Sequence, residues 1–202
     1  MYTQTLKTTI GTLKVSIPTD LSEMTLGQLI AMQEIEIPEF FHEISILSGK
    51  TISELAQVNQ TESKKELELI GERLLSLTHQ LLYSSTNSPI PEFIQFGKKK
   101  VNVIKNLSVE PAGAFMAAKD LMADEINKHV AKFGGGDDEE WKKSIQPSYR
   151  ACAMILAHYF YTRVIGGLYE EHKAEEFYNI VIELSVAQTL PIARYFFLNY
   201  PN

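Results

Sequence analysis

Hydrophobic and polar residues alternate in two short stretches of the chain. Residues 3–17 alternate on either side of Gly11, and residues 93–103 alternate on either side of Gly97. Alternation with a period of two is typical of strands that bury one face. A glycine between two such runs supplies the positive φ that a tight turn often needs. The pattern therefore predicts two β-hairpins, with Gly11 and Gly97 in their turns.

Helical spacing follows each predicted hairpin. Three segments have the form of a capping box, in which a Ser or Thr and a Glu or Gln three residues later satisfy each other's backbone amides; they are Thr25–Gln28, Thr51–Glu54 and Ser63–Glu66. The stretch from Tyr149 to Tyr200 is apolar and aromatic and is interrupted by Gly166-Gly167. It predicts three buried helices.

The two hairpin regions match each other in sequence. Residues 11–32 align without a gap to residues 97–118, at an offset of 86, and seven of the 22 pairs are identical. The identical pairs are Gly11/Gly97, Lys14/Lys100, Val15/Val101, Leu21/Leu107, Ser22/Ser108, Gly27/Gly113 and Ala31/Ala117. We therefore predict an α+β, mostly α-helical fold made of two similar units, each a β-hairpin followed by three or four helices, that arose by internal duplication.

A polar stretch divides the chain between these units. Ser84–Pro91 is rich in Ser, Thr, Asn and Pro, a composition that is typical of a linker. We predict a first unit over residues 1–88 and a second over residues 91–202. The glycine and acidic run at residues 134–140 has no counterpart in the first unit, and it predicts a loop followed by the first turn of a helix.

Composition excludes several classes of function. The net charge is −6, and the one basic run is Lys98–Lys100, so nucleic acid is not expected as a partner. A single cysteine, Cys152, cannot form an internal disulfide, which favours a reducing compartment. Neither a signal peptide nor a membrane-spanning run is visible, so we expect a soluble, cytosolic type of protein that does not bind membranes.

No candidate reactive group is complete in the sequence. Ser48–Thr51 resembles the end of a phosphate-binding loop, but Ile44 stands where that motif needs a glycine, so a helix end followed by a helix start explains it better. Glu39 and His42 have the spacing of a di-metal ligand pair that lacks its second half. Cys152 with His158 fits a buried core cysteine better than a nucleophile. We therefore predict no catalytic residue, no cofactor and no metal.

The candidate functional residues are instead those of an interface. Tyr and Phe are enriched in the cores of protein–protein interfaces, and the end of the chain is rich in both. We predict that an interface uses the two hairpin tips and part of the C-terminal aromatic set: Gly11, Gly97, Tyr178, Tyr195, Phe196, Phe197 and Tyr200.

Two segments resemble a known group of proteins. The run Leu21–Gln28 after a short strand, and the run Ile44–Leu55, are similar to segments of bacteriophage tail assembly chaperones. They also resemble small virion proteins of phages that infect Bacteroidota, including crAss-like phages. The second copy, from Phe96 to Gly113, resembles the same opening. These motifs are caps and hairpin glycines, so no catalytic residue is carried over.

The resemblance implies a phage morphogenesis protein that acts by protein–protein contacts. It implies either a virion component of the neck or tail, of ring or connector type, or a tail assembly chaperone. The partners would be portal, neck or tail proteins, with a homo-oligomeric ring as a further possibility. Its location would be the host cytoplasm during assembly, and the virion if it is structural. A phage-encoded regulatory or host-directed binding module is the alternative, and an unrecognised enzyme is the least favoured.

Overall fold

A computed structural model of the chain describes residues 1–134 and 145–200, except for the side chains of residues 84–87. The fold is α+β, with eight α-helices and two antiparallel hairpins among the described residues. In chain order the elements are β1 (Tyr2–Thr8), β2 (Gly11–Ile17), α1 (Leu26–Gln33), α2 (Phe40–Ser48), α3 (Ile52–Leu55), α4 (Lys64–Asn87), β3 (Phe93–Phe96), β4 (Lys99–Asn102), α5 (Ala112–Phe133), α6 (Tyr149–Ile165), α7 (Glu171–Val181) and α8 (Val186–Asn199). The predicted C-terminal helices are confirmed as α6, α7 and α8.

The first hairpin, β1–β2, closes through a two-residue turn. Thr8 pairs with Gly11, so Thr9 and Ile10 form the turn and Gly11 is the first residue of β2. Gly11 has φ +145°, whereas Thr9 and Ile10 keep negative φ. Turns whose two central residues have negative φ favour Gly directly after them. The prediction that Gly11 lies within the turn is therefore wrong by one position.

The second hairpin, β3–β4, closes differently. Phe96 pairs with Lys99, so Gly97 and Lys98 form the turn. Gly97 has φ +57° and Lys98 has negative φ, the combination of a type II′ turn, which takes glycine at its first central position. Gly97 thus lies in the turn as predicted. The two glycines do not occupy equivalent positions, because the turns are displaced by two residues in the ungapped alignment.

The predicted helix starts at Thr25 and Thr51 are confirmed. Each threonine hydroxyl accepts a hydrogen bond from the amide three residues later, and the side chain of that residue (Gln28 or Glu54) accepts one in return. Gly49 ends α2 in the left-handed conformation, two residues before the second cap, Thr51. The phosphate-loop resemblance at Ser48–Thr51 is thus explained by a helix end and a helix start.

Ser63 has a different role from the one that its motif predicts. It precedes α4 and is buried, and its hydroxyl accepts a hydrogen bond from Lys7 N–H at 2.8 Å. The adjoining segment is bonded to the same strand, since Asn59 N–H donates to Lys7 C=O at 2.8 Å and Thr9 N–H donates to Gln57 C=O at 3.0 Å. This segment therefore covers the outer edge of β1 near the turn.

The chain divides into two compact units. Unit 1 contains Met1–Asn87 and also Ser185–Ala187, and unit 2 contains Ser88–Leu184 and Gln188–Asn202. Within unit 1, Val186 N–H donates to Met24 C=O and Ala187 N–H donates to Leu21 C=O. No sequence pattern pointed to this short return of the chain.

The predicted linker is only partly a loop, because its first half lies inside α4, which ends at Asn87. The predicted loop and helix start at residues 135–140 lie outside the described residues.

Unit 1 packs its helices against one face of the first hairpin. Leu6, Val15 and Ile17 are buried on that face. Alternation along both strands leaves the opposite face polar. The apolar sides of the helices complete this core with Leu26, Leu29, Ile30, Ile44, Leu47, Leu55, Ile70, Leu74 and Leu77.

Unit 2 is organised around α6, which is buried on every side along most of its length. Its first three turns contain small buried residues, including Ala151, Ala153 and Ala157. The following residues are large and aromatic, and they stack on rings from the second hairpin and from the last two helices: Tyr159–Phe160, Phe96–Phe160, Phe96–Phe177, Tyr161–Phe177, Tyr159–Phe196 and Phe196–Tyr200. The result is a continuous aromatic core.

Three tyrosine hydroxyls of unit 2 bind the connection between β4 and α5; we call them the tyrosine clamp (Tyr159, Tyr195, Tyr200). Ile104 N–H donates to the Tyr159 hydroxyl at 2.7 Å, and that hydroxyl donates to Ile104 C=O at 3.0 Å. The Tyr195 hydroxyl donates to Lys105 C=O, and the Tyr200 hydroxyl donates to Asn106 Oδ1, each at 3.1 Å. The clamp therefore supplies hydrogen-bond partners to residues 104–106, which belong to none of the strands and helices in the described part of the chain.

Replacing Tyr159 by phenylalanine tests this clamp. Removal of the hydroxyl leaves the N–H and C=O of Ile104 without their partner, and we expect the free energy of unfolding to fall by about 1–3 kcal/mol. Urea denaturation followed by circular dichroism measures it. Tyr178→Phe is the matched control, because the Tyr178 hydroxyl has no hydrogen bond within the described residues. Equal stability of the two variants would contradict the assigned role of the clamp.

Candidate interaction surfaces

The tip of the first hairpin presents a large apolar side chain to solvent. Ile10 is 89% exposed, although it belongs to a turn held by a seven-pair ladder and by the Gln57–Asn59 segment. Gly11 lies beside it, with no atom within 4 Å of a Cβ added there. The tip is therefore both rigidly supported and open, and Ile10, which the interface prediction did not name, is its most exposed large residue.

The tip of the second hairpin is attached to its own unit. The Lys99 ammonium donates to Val164 C=O at 2.7 Å, near the C-terminal end of α6. Such carbonyls lack helical partners and attract cations. The Lys100 ammonium lies 3.5 Å from the centre of the Phe93 ring. Two of the three residues in the basic run therefore have intramolecular partners, while Gly97 has open space around it.

The predicted C-terminal aromatics are divided between the core and the surface. Phe196 and Phe197 are 0% and 1% exposed, so in this conformation they are core residues and offer no surface to a partner. Tyr195 and Tyr200 are half-buried, and their hydroxyls belong to the tyrosine clamp. Tyr178 is half-buried on α7. Intramolecular hydrogen bonds therefore account for the positions of Tyr195 and Tyr200. Composition alone does not reveal these bonds.

A second exposed apolar tip lies between α6 and α7, and sequence analysis did not single it out. Leu168 is 87% exposed and follows Gly166 and Gly167, which both have positive φ. Ile165, at the end of α6, is also exposed. The signal was present in the sequence as Ile-Gly-Gly-Leu, but we interpreted the glycines only as a break between helices.

Cys152 is an inert core thiol in this fold. The residue is 3% exposed, and burial raises the pKa of its thiol to about 12, with the carboxylate of Glu125 acting in the same direction. The thiolate is the reactive form of cysteine. The imidazole Nδ1 of His158 is hydrogen-bonded to the Tyr169 hydroxyl at 2.8 Å, and within the described residues no hydrogen bond joins His158 to the Cys152 thiol.

The pair of His158 and Tyr169 is packed tightly against α5. A Cβ added at Gly113 would lie 2.8 Å from the Tyr169 ring, so only glycine fits there without movement. Burial lowers the pKa of His158, while Glu175 and Glu171 oppose that shift. Burial also raises the pKa of Tyr169 to about 12. Both groups are therefore held neutral at physiological pH, where they act as hydrogen-bond partners.

A buried ion pair joins α6 to the start of α5. The Arg163 guanidinium donates to the carboxylate of Glu110 through both Nε and Nη2. It also lies 4.9 Å from the centre of the Tyr159 ring. Removing one partner of such a pair leaves a buried charge, which is strongly destabilising. Both charges of this pair are therefore engaged within the unit.

The metal-like spacing of Glu39 and His42 does not extend to a site. The two side chains approach within 3.5 Å at the exposed start of α2. Across residues 1–134 and 145–200, no group of three or more His, Cys, Asp or Glu side chains is arranged to hold a metal ion.

Unit 1 contains a small apolar cavity between its helices. Its volume is about 40 Å³, enough for roughly one water molecule and far below the size of an organic-ligand site. Met24, Leu29, Met32, Leu47, Leu74, Leu77, Thr78 and Leu81 line it with Glu43. Burial raises the pKa of the Glu43 carboxyl. The cavity is best explained as imperfect packing of large Met and Leu side chains.

Comparison of the chain with protein-family models, with curated protein sequences and with solved structures found no match. None of the helices in the described ranges combines the length and apolar character that crossing a bilayer requires.

Alkylation of Cys152 tests the burial of the thiol. We expect iodoacetamide to leave the native protein unmodified in mildly alkaline buffer, because almost no thiolate forms and access is closed. The same reagent should react completely once the protein is unfolded in urea. Intact-mass spectrometry measures both. Rapid alkylation of the folded protein would contradict the inert assignment.

The pH dependence of stability tests the environment of His158. Its pKa in the folded state lies below the ordinary value of 6.5, so the unfolded chain binds more protons as the pH falls. The contribution of neutral His158 to the free energy of unfolding is fully present above the ordinary pKa of 6.5. It is lost as the pH drops from about 7 towards 5. His158→Gln should lose this component of the pH dependence, and His42→Gln, at an exposed position, should keep it. An NMR titration midpoint at or above 6.5 for His158 would contradict the assignment.

Proposed function

We propose that this chain is a non-enzymatic bacteriophage morphogenesis protein that acts through protein–protein contacts. It is a structural component of the neck or tail, of ring or connector type, or a tail assembly chaperone. Its partners are the portal, neck or tail proteins of the same phage. The resemblance of Leu21–Gln28 and Ile44–Leu55 to such proteins gives the class, and it transfers no reactive residue.

The observation that carries this proposal is the exposed, preorganised tip at Ile10. Isolated apolar side chains are common on protein surfaces. Ile10 differs because a complete hairpin ladder and the Gln57–Asn59 segment hold it in place. A rigid apolar tip loses little conformational entropy when it enters a partner's pocket. Leu168, on its Gly-Gly turn, offers a second such tip in unit 2.

We further propose that the two units arose by duplication. The strongest support is the turn after each hairpin, where the Oδ1 atoms of Asp20 and Asn106 accept hydrogen bonds from the backbone and hydroxyl of Ser22 and Ser108. These residues correspond at the offset of 86. The hairpin turns, Thr9-Ile10 and Gly97-Lys98, correspond instead at an offset of 88. The proposed duplication therefore requires that the two copies differ by two residues in length between the hairpin turn and the Asp20 or Asn106 turn.

A host-directed or regulatory binding module is the second candidate. It uses the same exposed tips but takes a partner outside the particle. A gene position away from portal and tail genes favours it. An enzyme remains the least favoured class, and a clear turnover of any substrate would overturn the proposal.

Mass spectrometry of purified virions tests the proposed class. A ring or connector component is expected at a fixed copy number in the particle. A chaperone is expected in infected cells but absent from mature particles, and monomeric or dimeric when purified. Co-purification with host proteins alone, with no phage structural partner at any stage, would contradict the morphogenesis proposal and favour the regulatory module.

Charge substitution at the tip tests the surface. We expect Ile10→Asp to abolish particle formation, because an aspartate cannot enter an apolar pocket without losing its hydration. The variant should fold normally, since Ile10 is exposed. Ile37→Asp is the matched control, as Ile37 is an exposed isoleucine of the same unit. Complementation of a phage deletion, scored as plaques and particles, measures the effect; normal assembly with Ile10→Asp would refute this assignment.

A further inference from the structure

The outer edge of β2 carries backbone groups that point away from the first hairpin. Lys7 N–H donates to Ser63, and Lys7 C=O accepts from Asn59, so the polar groups of Lys7 face away from β2. Lys7 pairs with Thr12. In an antiparallel pair whose members do not bond to each other, both residues direct their N–H and C=O outward. Thr12, and by alternation Lys14 and Ser16, therefore present these groups along the opposite edge.

This edge has no partner within the described residues. The N–H and C=O groups of Thr12, Lys14 and Ser16 make no hydrogen bond to them. By contrast, the segment from Gln57 to Ser63 covers β1 near the turn. An uncovered strand edge is a template for another extended chain. Three alternate residues on a seven-residue strand offer a full pairing surface.

The charge beside this edge indicates what kind of chain fits. The solvent face of the first hairpin consists of Thr3, Thr5, Lys7, Thr12, Lys14 and Ser16, with no acidic residue. Neither lysine has an ion-pair partner within the described residues. In the antiparallel register that would pair all three outward residues of two copies, Thr12 faces Ser16 and Lys14 faces Lys14, and like charges directly opposite each other are destabilising. An acidic strand would neutralise them.

The opposite face of β2 adds an apolar requirement. Val15 is buried there, and Leu13, on the same face, remains half-exposed. Side chains of an added strand would alternate between this face and the lysine face. A matching strand therefore carries acidic residues on one side and apolar residues on the other.

We propose that the open edge of β2 binds an extended segment of a partner protein, in which acidic and apolar residues alternate. Backbone hydrogen bonds to Thr12, Lys14 and Ser16 supply the pairing, and Lys14, on the strand next to the added one, selects the acidic face. This inference rests on the protein-binding part of the proposed function and names the chemistry of one partner. The two proposals can fail separately. Mass spectrometry of virions tests the class of the protein, whereas peptide binding tests only the edge of β2.

The test uses the full-length protein and a synthetic capped peptide in which glutamate alternates with valine. Fluorescence anisotropy measures binding, and amide hydrogen exchange locates it. We expect the amides of Thr12, Lys14 and Ser16 to become protected when the peptide binds. A peptide that alternates lysine with valine should bind more weakly by a factor of about 2–5, the range for exposed charge pairs.

Two variants separate the backbone from the charge. Lys14→Pro removes both an outward N–H and the ammonium without removing a bond of the β1–β2 ladder, whereas Lys14→Ala removes the ammonium alone; we expect Lys14→Pro to bind at least about tenfold more weakly than Lys14→Ala. Thr5→Pro is the control, since it removes an outward N–H from the other strand. Lys14→Glu should reverse the preference between the two peptides. Should Lys14→Pro fail to fold, hydrogen exchange in the unaltered protein still shows whether the peptide binds at β2. The Lys14→Glu variant still shows whether Lys14 sets the preference for acidic residues.

Several outcomes would overturn the proposal. Protection of amides outside β2, or equal binding by Lys14→Pro and the unaltered protein, would place the peptide elsewhere. Sedimentation showing dimers that Lys14→Pro abolishes would assign the edge to a second copy of this chain. No binding of the glutamate–valine peptide at any usable concentration would remove the proposed partner chemistry.

Discussion

The structure of unit 2 depends on burying α6 from every direction. A helix without a solvent face cannot direct its polar groups to water, so its tyrosine and arginine side chains need partners within the protein. Tyr159 and Arg163 find them on the chain that leaves the second hairpin, at Ile104 and Glu110. This requirement fixes the connection between β4 and α5, and through it the start of α5.

The same requirement explains how the aromatic residues of the C-terminal region are used. Tyr159 packs edge to face against Phe160 and Phe196, an arrangement that aromatic quadrupoles favour. Phe96 of the hairpin packs in a tilted arrangement against Phe160 and against Phe177 of α7. Tyr195 and Tyr200 extend it to the loop at residues 105–106. Most of the C-terminal aromatic residues, which the sequence suggested for an interface, therefore stabilise the core of unit 2. The most exposed large apolar side chains of the described residues, Ile10 and Leu168, lie instead at tips of the fold.

In unit 1 the first hairpin is covered by other segments on only some of its sides. This hairpin has one strand edge covered near the turn by Gln57–Ser63 and one face covered by helices. The outward backbone groups of the opposite edge have no hydrogen-bond partner among the described residues. A short hairpin alone is marginal in water, so coverage on one edge and one face gives the uncovered edge a fixed shape. The proposed function through protein–protein contacts would benefit from this arrangement, because a preformed edge and a rigid tip reduce the entropy lost on association.

Local sequence determined the elements themselves. The capping boxes at Thr25 and Thr51, the two hairpins and the three C-terminal helices follow from spacings of a few residues, and each was predictable for that reason. The exact turn position was harder, because positive φ is adopted directly after the turn in the first hairpin, at Gly11, and within the turn in the second, at Gly97.

Only the tertiary structure decided which surfaces are free. The Tyr159 hydroxyl meets a residue 55 positions away, and the Tyr195 hydroxyl meets one 90 positions away. The edge of β1 is covered by a serine 56 positions from Lys7. No periodicity along the chain records such pairings, since they depend on how distant segments pack. Sequence by itself therefore determined which strands and helices form, and packing determined which of their polar groups, rings and edges remain available to a partner.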